Sequence, residues 1–216
     1  MFIGHFGAGL IGKKIDKLPS LGTMLLAAQL IDLVWPILLL LGIERVEIDP
    51  GNTLITPLNF VYYPFTHSLL FVLLWGIAFG GVYFMLKKNL KSALLLGSLV
   101  VSHWFLDLLV HRPDLPLTLS NENFVGFNGW NSLVITLLLE LGIFFTGVYF
   151  YNSVTKAKNK VGTIGFWSLV VFLIITYFTN LFGPVPPDTN AIAFGGLAMW
   201  LLVAWAYWVD KNREYI

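Results

Sequence analysis

The chain has 216 residues, of which 57% are hydrophobic and only 12% are charged. So much apolar surface excludes an ordinary soluble domain and predicts an integral membrane protein. The formal net charge of +1 offers no basic surface for nucleic acid, and the lack of cysteine excludes disulfides and thiolate metal sites. We therefore expect a single integral membrane domain over residues 1–216, in contact with membrane lipid and without a nucleic-acid partner.

Residues 1–19 precede the first long apolar run and contain the pattern Gly7-x-Gly9-x-x-Gly12. A dinucleotide-binding loop would need a preceding strand, and six residues leave no room for one. We expect instead a short helix whose small residues pack against a neighbour. This helix is either re-entrant, which would lift His5 about 12 Å into the bundle, or amphipathic and placed at the membrane surface.

Apolar runs of roughly 20 residues, the length at which a helix crosses a bilayer, recur along the rest of the chain. Pro36 is expected to kink the first run, and the glycine pairs 80–81 and 195–196 are expected to be points of close packing. The pattern predicts an all-α bundle with six transmembrane helices, at residues 21–43, 67–86, 90–110, 131–151, 161–182 and 191–209.

Basic residues concentrate at one set of helix ends, which predicts that both termini are cytoplasmic and that the protein lies in the inner or plasma membrane. The outer segments 44–66 and 112–130 are rich in Pro, Gly, Asn and Thr, so we expect them to be irregular and functional. The basic residues are Lys13, Lys14, Lys17, Lys87, Lys88, Lys91, Lys156, Lys158, Lys160, Lys211 and Arg213.

Three acids and four histidines fall in or beside the apolar runs, where ionisable groups are costly and usually functional. His103, Asp107 and His111 follow one another at steps of four residues, so they share a helix face with the histidines about 12 Å apart. One ion cannot span that separation, but Asp107 could bridge two metals about 3.5–4 Å apart. The rise per residue also places Asp32, His103 and Glu140 at one depth. The full set is His5, Asp32, His67, His103, Asp107, His111 and Glu140.

Each of these groups has a second interpretation. The stripe from His103 to His111 is a metal site, a buried hydrogen-bonded cluster or a proton relay. His67 is a ligand or an ordinary residue at a helix start, and Glu140 is a ligand, an acid or base, or the partner of a histidine. Arg112 either binds an anionic phosphate at the mouth of the site or only flanks a helix end.

Four segments resemble the YdjM-like predicted membrane-bound metal-dependent hydrolases: GHFGAGLIGKK, QLIDLVWP, FTHSLL and SHWFLD, in this order within the first 131 residues. That family is distantly similar to the zinc-dependent phospholipase C and single-strand nuclease superfamily, in which an N-terminal amino group accompanies the early histidine. The final His-x-x-x-Asp/Glu pair of that superfamily has no match here, and Glu140 is the only later acid at a suitable depth. The resemblance implies metal ligands at His5, Asp32, His67, His103 and Asp107, with His111 as a further histidine.

The sequence therefore predicts a membrane-embedded hydrolase that acts on a phosphoester, such as a phospholipid headgroup, by means of metal-activated water. One to three zinc ions are expected, with manganese or iron as alternatives, in a site that opens toward the non-cytoplasmic side. Asp32, Asp107 and Glu140 are the candidate catalytic residues, and Arg112 is the candidate substrate residue. The rival interpretations are a transporter or channel for divalent metal or protons, and a scaffold with a structural metal.

Overall fold

The computed structural model describes residues 1–120 and 122–216, and within them it is a bundle of α-helices. Six of the helices are long and apolar enough to cross a membrane, which confirms the predicted all-α fold with six spans. The predicted spans agree with these six helices to within three residues at each end. The helices are α1 (Ile3–Ile15), α2 (Leu21–Leu40), α3 (Pro64–His67), α4 (Leu69–Lys87), α5 (Leu90–Val110), α6 (Leu133–Val154), α7 (Lys160–Phe182) and α8 (Thr189–Lys211).

Each of the six long helices begins after a residue whose side chain accepts a hydrogen bond from a backbone N–H three positions later. Such N-caps satisfy one of the backbone donors that a helix leaves free at its start. One cap also corrects a prediction, because the expected second span began at residue 67, whereas the helix breaks at Ser68 and α4 begins after it. The caps are Ser20, Ser68, Asn89, Ser132, Asn159 and Asp188.

The two long connecting segments, 44–66 and 112–130, contain short antiparallel hairpins, so the expectation that they are irregular is wrong in part. In the first segment, the strands RVEI and LNFVY alternate apolar and polar side chains and pair with each other. Val46 lies opposite Phe60 in this pairing and is buried against the helices. The ranges are β1 (Arg45–Ile48) with β2 (Leu58–Tyr62), β3 (Leu115–Pro116) with β4 (Phe124–Val125), and near the C-terminus β5 (Thr155–Ala157) with β6 (Arg213–Tyr215).

Helix α1 lies inside the bundle, where it packs on α6, α2 and α5. Ile3, Phe6 and Leu10 are all buried in its core contacts. Gly7 faces the backbone of α6 so closely that a Cβ atom there would lie 2.6 Å from the carbonyl oxygen of Ile143. Burial of this kind fits the re-entrant alternative for the N-terminal segment rather than a helix at the membrane surface.

The expected close packing at the glycine pairs holds for one member of each pair. Gly80 lies against the backbone of Ala93 on α5, and Gly196 lies against the ring of Pro36 on α2. Gly81 and Gly195 have open space where a Cβ atom would be. In each pair, therefore, one glycine lies at a contact between helices, and the other faces outward or into a cavity.

Candidate metal centre

Asp107 on α5 is the centre of a buried group of histidines and acids. Its Oδ1 accepts a hydrogen bond from the Met1 amino group at 2.5 Å and lies 3.1 Å from Nε2 of His5. Its Oδ2 lies 3.2 Å from Nε2 of His103 and 3.9 Å from Nε2 of His67. The two carboxylate oxygens therefore face two different sets of side chains.

Asp32 on α2 completes the set around Oδ2 of Asp107. Its Oδ1 lies 3.4 Å from Nε2 of His67 and 3.4 Å from Nε2 of His103. Tetrahedral coordination with bonds of about 2.0–2.1 Å separates the ligand atoms by about 3.3–3.4 Å. We call Asp32, His67, His103 and Asp107 the His/Asp cluster. Three of its four nitrogen–oxygen separations fit that spacing, and the fourth, from His67 to Asp107, is longer at 3.9 Å. A second group of possible ligands consists of His5, His103 and Asp107.

Hydrogen bonds on the far side of two imidazoles fix which nitrogen faces the cluster. Nδ1 of His103 lies 2.9 Å from the carbonyl oxygen of Ala28, so it must carry a hydrogen. Nδ1 of His67 lies 2.7 Å from Oγ1 of Thr66, whose own hydrogen is donated to Glu44. Thr66 therefore accepts from His67, and in both neutral rings the lone pair of Nε2 points at the carboxylates. Metal-binding histidines are usually held in this way.

The electrostatics of the cluster fit a bound cation. Nε2 of His103 is buried and has no hydrogen-bond partner among the described residues. With its hydrogen on Nδ1, this Nε2 is an acceptor, and the nearby carboxylate oxygens are acceptors too. His67, His103 and Asp107 are all buried, and the Met1 amino group pairs with only one of the two carboxylates, so the remaining negative charge would carry a desolvation cost. A divalent ion with nitrogen and oxygen ligands satisfies the lone pairs and this remaining charge.

Glu140 on α6 lies beside the cluster but has a different set of contacts. Its two carboxylate oxygens accept hydrogen bonds from the backbone N–H groups of Phe2 and Gly4, each at 2.8 Å. The side chain thus caps the start of α1, where free backbone donors and the helix dipole favour a negative charge. Because Gly4 directly precedes His5, this cap holds the start of α1, and His5 with it, against α6.

His111 and Arg112 belong to a separate network at the end of α5. Nδ1 of His111 lies 3.0 Å from Oδ1 of Asp114, and Nε of Arg112 donates to Oδ2 of the same carboxylate at 3.0 Å. Arg112 also donates to Asn59 at 2.6 Å. His111 lies outside both groups of possible ligands, and burial lowers its pKa, which favours a neutral ring. The ligand role for His111 and the substrate role for Arg112 therefore have no support in these contacts.

A cavity of about 1060 Å³ opens above the cluster. Asp32, His67, Asp107 and His111 contribute to its inner end, and α7, α8 and the loop between β1 and β2 form its walls. Asp32 is the most accessible member of the cluster, with 18% of its side chain exposed. The candidate metal centre is therefore reachable from outside the bundle.

Several residues that form hydrogen bonds to the candidate site residues were not predicted from the sequence. Thr66 directly precedes His67 and Asp114 follows His111 by three residues, so their proximity along the chain could have suggested them. Glu44 lies in a loop far along the chain from Thr66, and only the fold brings them together at 2.7 Å. Burial raises the pKa of Glu44 to about 7, although its hydrogen bonds from Thr66 and Phe65 act in the opposite direction.

Comparison with family models, with curated proteins and with solved structures finds no match to this chain. The fold and the site define a helical bundle with six helices of membrane-spanning length and a buried His/Asp cluster that could bind a metal ion.

Proposed function

We propose that this protein is a membrane-embedded, metal-dependent phosphoester hydrolase of the YdjM-like kind. The observation that carries the proposal is the meeting of four ligand-type side chains from α2, α3 and α5, three of which line an open cavity. Asp32, His67, His103 and Asp107 hold one divalent ion, with zinc as the first choice and manganese or iron as alternatives. His5 and the other oxygen of Asp107 offer a place for a second ion.

A divalent cation bound there would lower the pKa of a water ligand to about 7 and so supply hydroxide near neutral pH. In the hydrolysis, the water oxygen forms a bond to phosphorus while the bond from phosphorus to the alcohol oxygen breaks. Asp32 accepts the proton that the water loses, because it is the member of the cluster most open to the cavity, and returns that proton to the leaving alcohol. Glu140 contributes by holding α1, and with it His5, against Asp107.

The orientation in the membrane follows from the lysine-rich helix ends. Both termini are cytoplasmic in this proposal, and the protein lies in the inner or plasma membrane. The cavity reaches the β1–β2 loop and the connection between α7 and α8, which lie at the ends of the helices that carry few basic residues. The site therefore opens toward the non-cytoplasmic side, where a phospholipid headgroup is a natural substrate.

The test compares phosphate-ester hydrolysis by the detergent-purified protein with that of two variants, using phospholipid vesicles as substrate. Asp107→Asn removes the central ligand, and Asp16→Asn is the matched control because Asp16 is a buried carboxylate that binds Ser92 away from the cluster. We expect activity in the wild type and in Asp16→Asn that chelation abolishes, and loss of that activity in Asp107→Asn. Equal rates in all three proteins would contradict the proposal. Flux of metal or protons in proteoliposomes that is lost in His103→Ala would replace it with a transporter.

A further inference from the structure

The cavity above the His/Asp cluster continues far along two helices that contribute no ligand. Its walls include α7 from Phe172 to Leu181 and α8 from Ala191 to Trp205. The second stretch corresponds to a rise of about 21 Å, roughly two thirds of the hydrocarbon thickness of a bilayer. The volume of about 1060 Å³ is also at the upper end of the range for small-molecule sites. A water molecule and a compact phosphoester would leave most of this space unfilled.

The α7 and α8 walls of the cavity carry large, exposed apolar side chains. Phe172 and Leu201 both line the cavity, and they are 45% and 71% exposed. Leu201 lies about 18 Å along α8 from its first residue, near the middle of an apolar helix. In a membrane this part of the wall lies at the level of the hydrocarbon core.

Two polar side chains on the cavity wall lack partners. The hydroxyl of Tyr177 on α7 and Nε1 of Trp35 on α2 are buried and have no hydrogen-bond partner within the described part of the chain. The ring of Trp35 packs edge-on against His67, with 6.2 Å between ring centroids, so this donor lies next to the cluster. Buried donors are costly to leave unpaired, and acceptor oxygens of a ligand in the cavity would satisfy them.

We infer that the cavity binds a whole lipid with a phosphate-ester head, and that the α7–α8 wall is the seat of its aliphatic chain. The head lies at Asp32 and His67, and Trp35 and Tyr177 donate hydrogen bonds to oxygens at the junction of head and chain. The position of the head rests on the proposed function, whereas the seat of the chain rests on the apolar wall and its place along the middle of α8. Diacylglycerophospholipids and isoprenyl phosphates share this chemistry.

A glycine on the wall allows the seat to be blocked without disturbing the cluster. Gly195 lines the cavity and has nothing within 4 Å of the position of a Cβ atom, so Gly195→Trp would extend into free space. Gly81 on α4 is equally open but lies outside the cavity lining, so Gly81→Trp is the matched control. Gly195→Leu is a smaller second variant in case the tryptophan disturbs folding, which thermal unfolding in detergent would show.

The experiment uses two photoactivatable probes, a phosphatidylglycerol and an isoprenyl phosphate, each with the reactive group in its chain, in vesicles with the full-length protein. We expect at least one probe to label residues 172–181 and 191–205, with labelling reduced at least tenfold in Gly195→Trp and unchanged in Gly81→Trp. The probe that labels identifies the source of the lipid. Labelling spread evenly over the outer faces of all helices, or unchanged in Gly195→Trp, would overturn the inference.

Asp107→Asn separates this inference from the proposed function. If both this inference and the proposed function hold, we expect Asp107→Asn to lose hydrolysis and to keep the cavity labelling. Cavity labelling without hydrolysis by the wild type would leave the chain seat intact and refute the hydrolase. Hydrolysis of ethyl phosphate that is as efficient as that of a long-chain phosphate, without cavity labelling, would refute the chain seat and leave the hydrolase intact. Tyr177→Phe should weaken labelling by roughly tenfold, the effect of one lost hydrogen bond.

Discussion

Glu140 on α6 accepts a hydrogen bond of 2.8 Å from the backbone N–H of Gly4, at the start of α1. The same carboxylate accepts a second bond from the N–H of Phe2. These contacts tie the end of a buried helix to its main packing partner, one residue before His5. An acid that the sequence offers as a ligand thus positions another candidate ligand.

Glu140→Gln should destabilise the protein, because an amide offers one acceptor and one donor to two backbone N–H groups. One buried N–H is then left without a partner, at a cost of about 1–3 kcal/mol. Thermal unfolding in detergent measures the loss, and Glu214→Gln is the control because Glu214 forms only an exposed ion pair with Lys156. Equal melting temperatures for the two variants would contradict the capping role.

Thr66→Val should weaken metal binding while leaving all four ligands of the His/Asp cluster in place. The valine has no hydroxyl to accept the hydrogen on Nδ1 of His67, so the orientation of the ring is no longer fixed. Loss of such a supporting bond typically costs 10–100-fold in metal affinity. Competition with a chelating dye measures the affinity. Thr136→Val is the control, since the buried hydroxyl of Thr136 donates to the carbonyl of Gly129 instead. Equal metal affinities in the two variants would show that the hydrogen bond from His67 to Thr66 does not support metal binding.

The pKa of Glu44, raised to about 7 by burial, predicts a pH dependence of stability. Because the folded-state pKa lies above the ordinary value of about 4.5, ionised Glu44 opposes folding. Its unfavourable contribution is absent below about pH 4.5, grows as the pH rises, and is complete above about pH 7. Glu44→Gln cannot ionise, so the wild type should lose stability relative to this variant between about pH 4.5 and pH 7. Parallel melting-temperature profiles for the two proteins over this range would argue against the raised pKa.

Gly7→Ala should displace α1 from α6. The added Cβ atom would lie 2.6 Å from the carbonyl oxygen of Ile143. The nearest atoms are all backbone atoms of α6, which cannot move aside as a flexible side chain could. We expect a loss of about 1–3 kcal/mol in the free energy of unfolding, together with weaker binding of any ion that uses His5. Gly142→Ala on α6 is the control, because open space surrounds that position and alanine favours a helix. Unfolding in denaturant compares the two variants, and similar stabilities would show that α1 packs less tightly than described.

The sequence predicts the helices well because its signals there are local. Apolar runs mark the spans, and residues such as Ser132 and Asp188 mark their starts. The spacing of His103 and Asp107 also predicts a shared face, and their side chains lie 3.2 Å apart. His111 shows the limit of such reasoning. As the C-cap of α5 it has an extended backbone, with ψ of 144°, so it leaves the helical repeat and binds Asp114.

Contacts between distant segments are the part that spacing alone does not predict. Nothing in the pattern around Asp32 indicates that it meets His67, since they lie on different helices joined by a hairpin. Their pairing was expected only from the resemblance to a family. The bonds from Thr66 to Glu44, and the cavity between α7 and α8, likewise depend on how the helices pack. These features required the three-dimensional structure.

Metal content shows directly whether the His/Asp cluster binds an ion. The proteins are purified without chelator and analysed by elemental mass spectrometry: wild type, Asp107→Asn, His103→Ala and the control Asp16→Asn. We expect about one or two ions of zinc, manganese or iron per chain in the wild type and in the control, and less than about a tenth of that in the two cluster variants. A wild-type protein that contains no metal and takes up none when zinc is added would contradict this expectation, and would leave the His/Asp cluster as a proton relay.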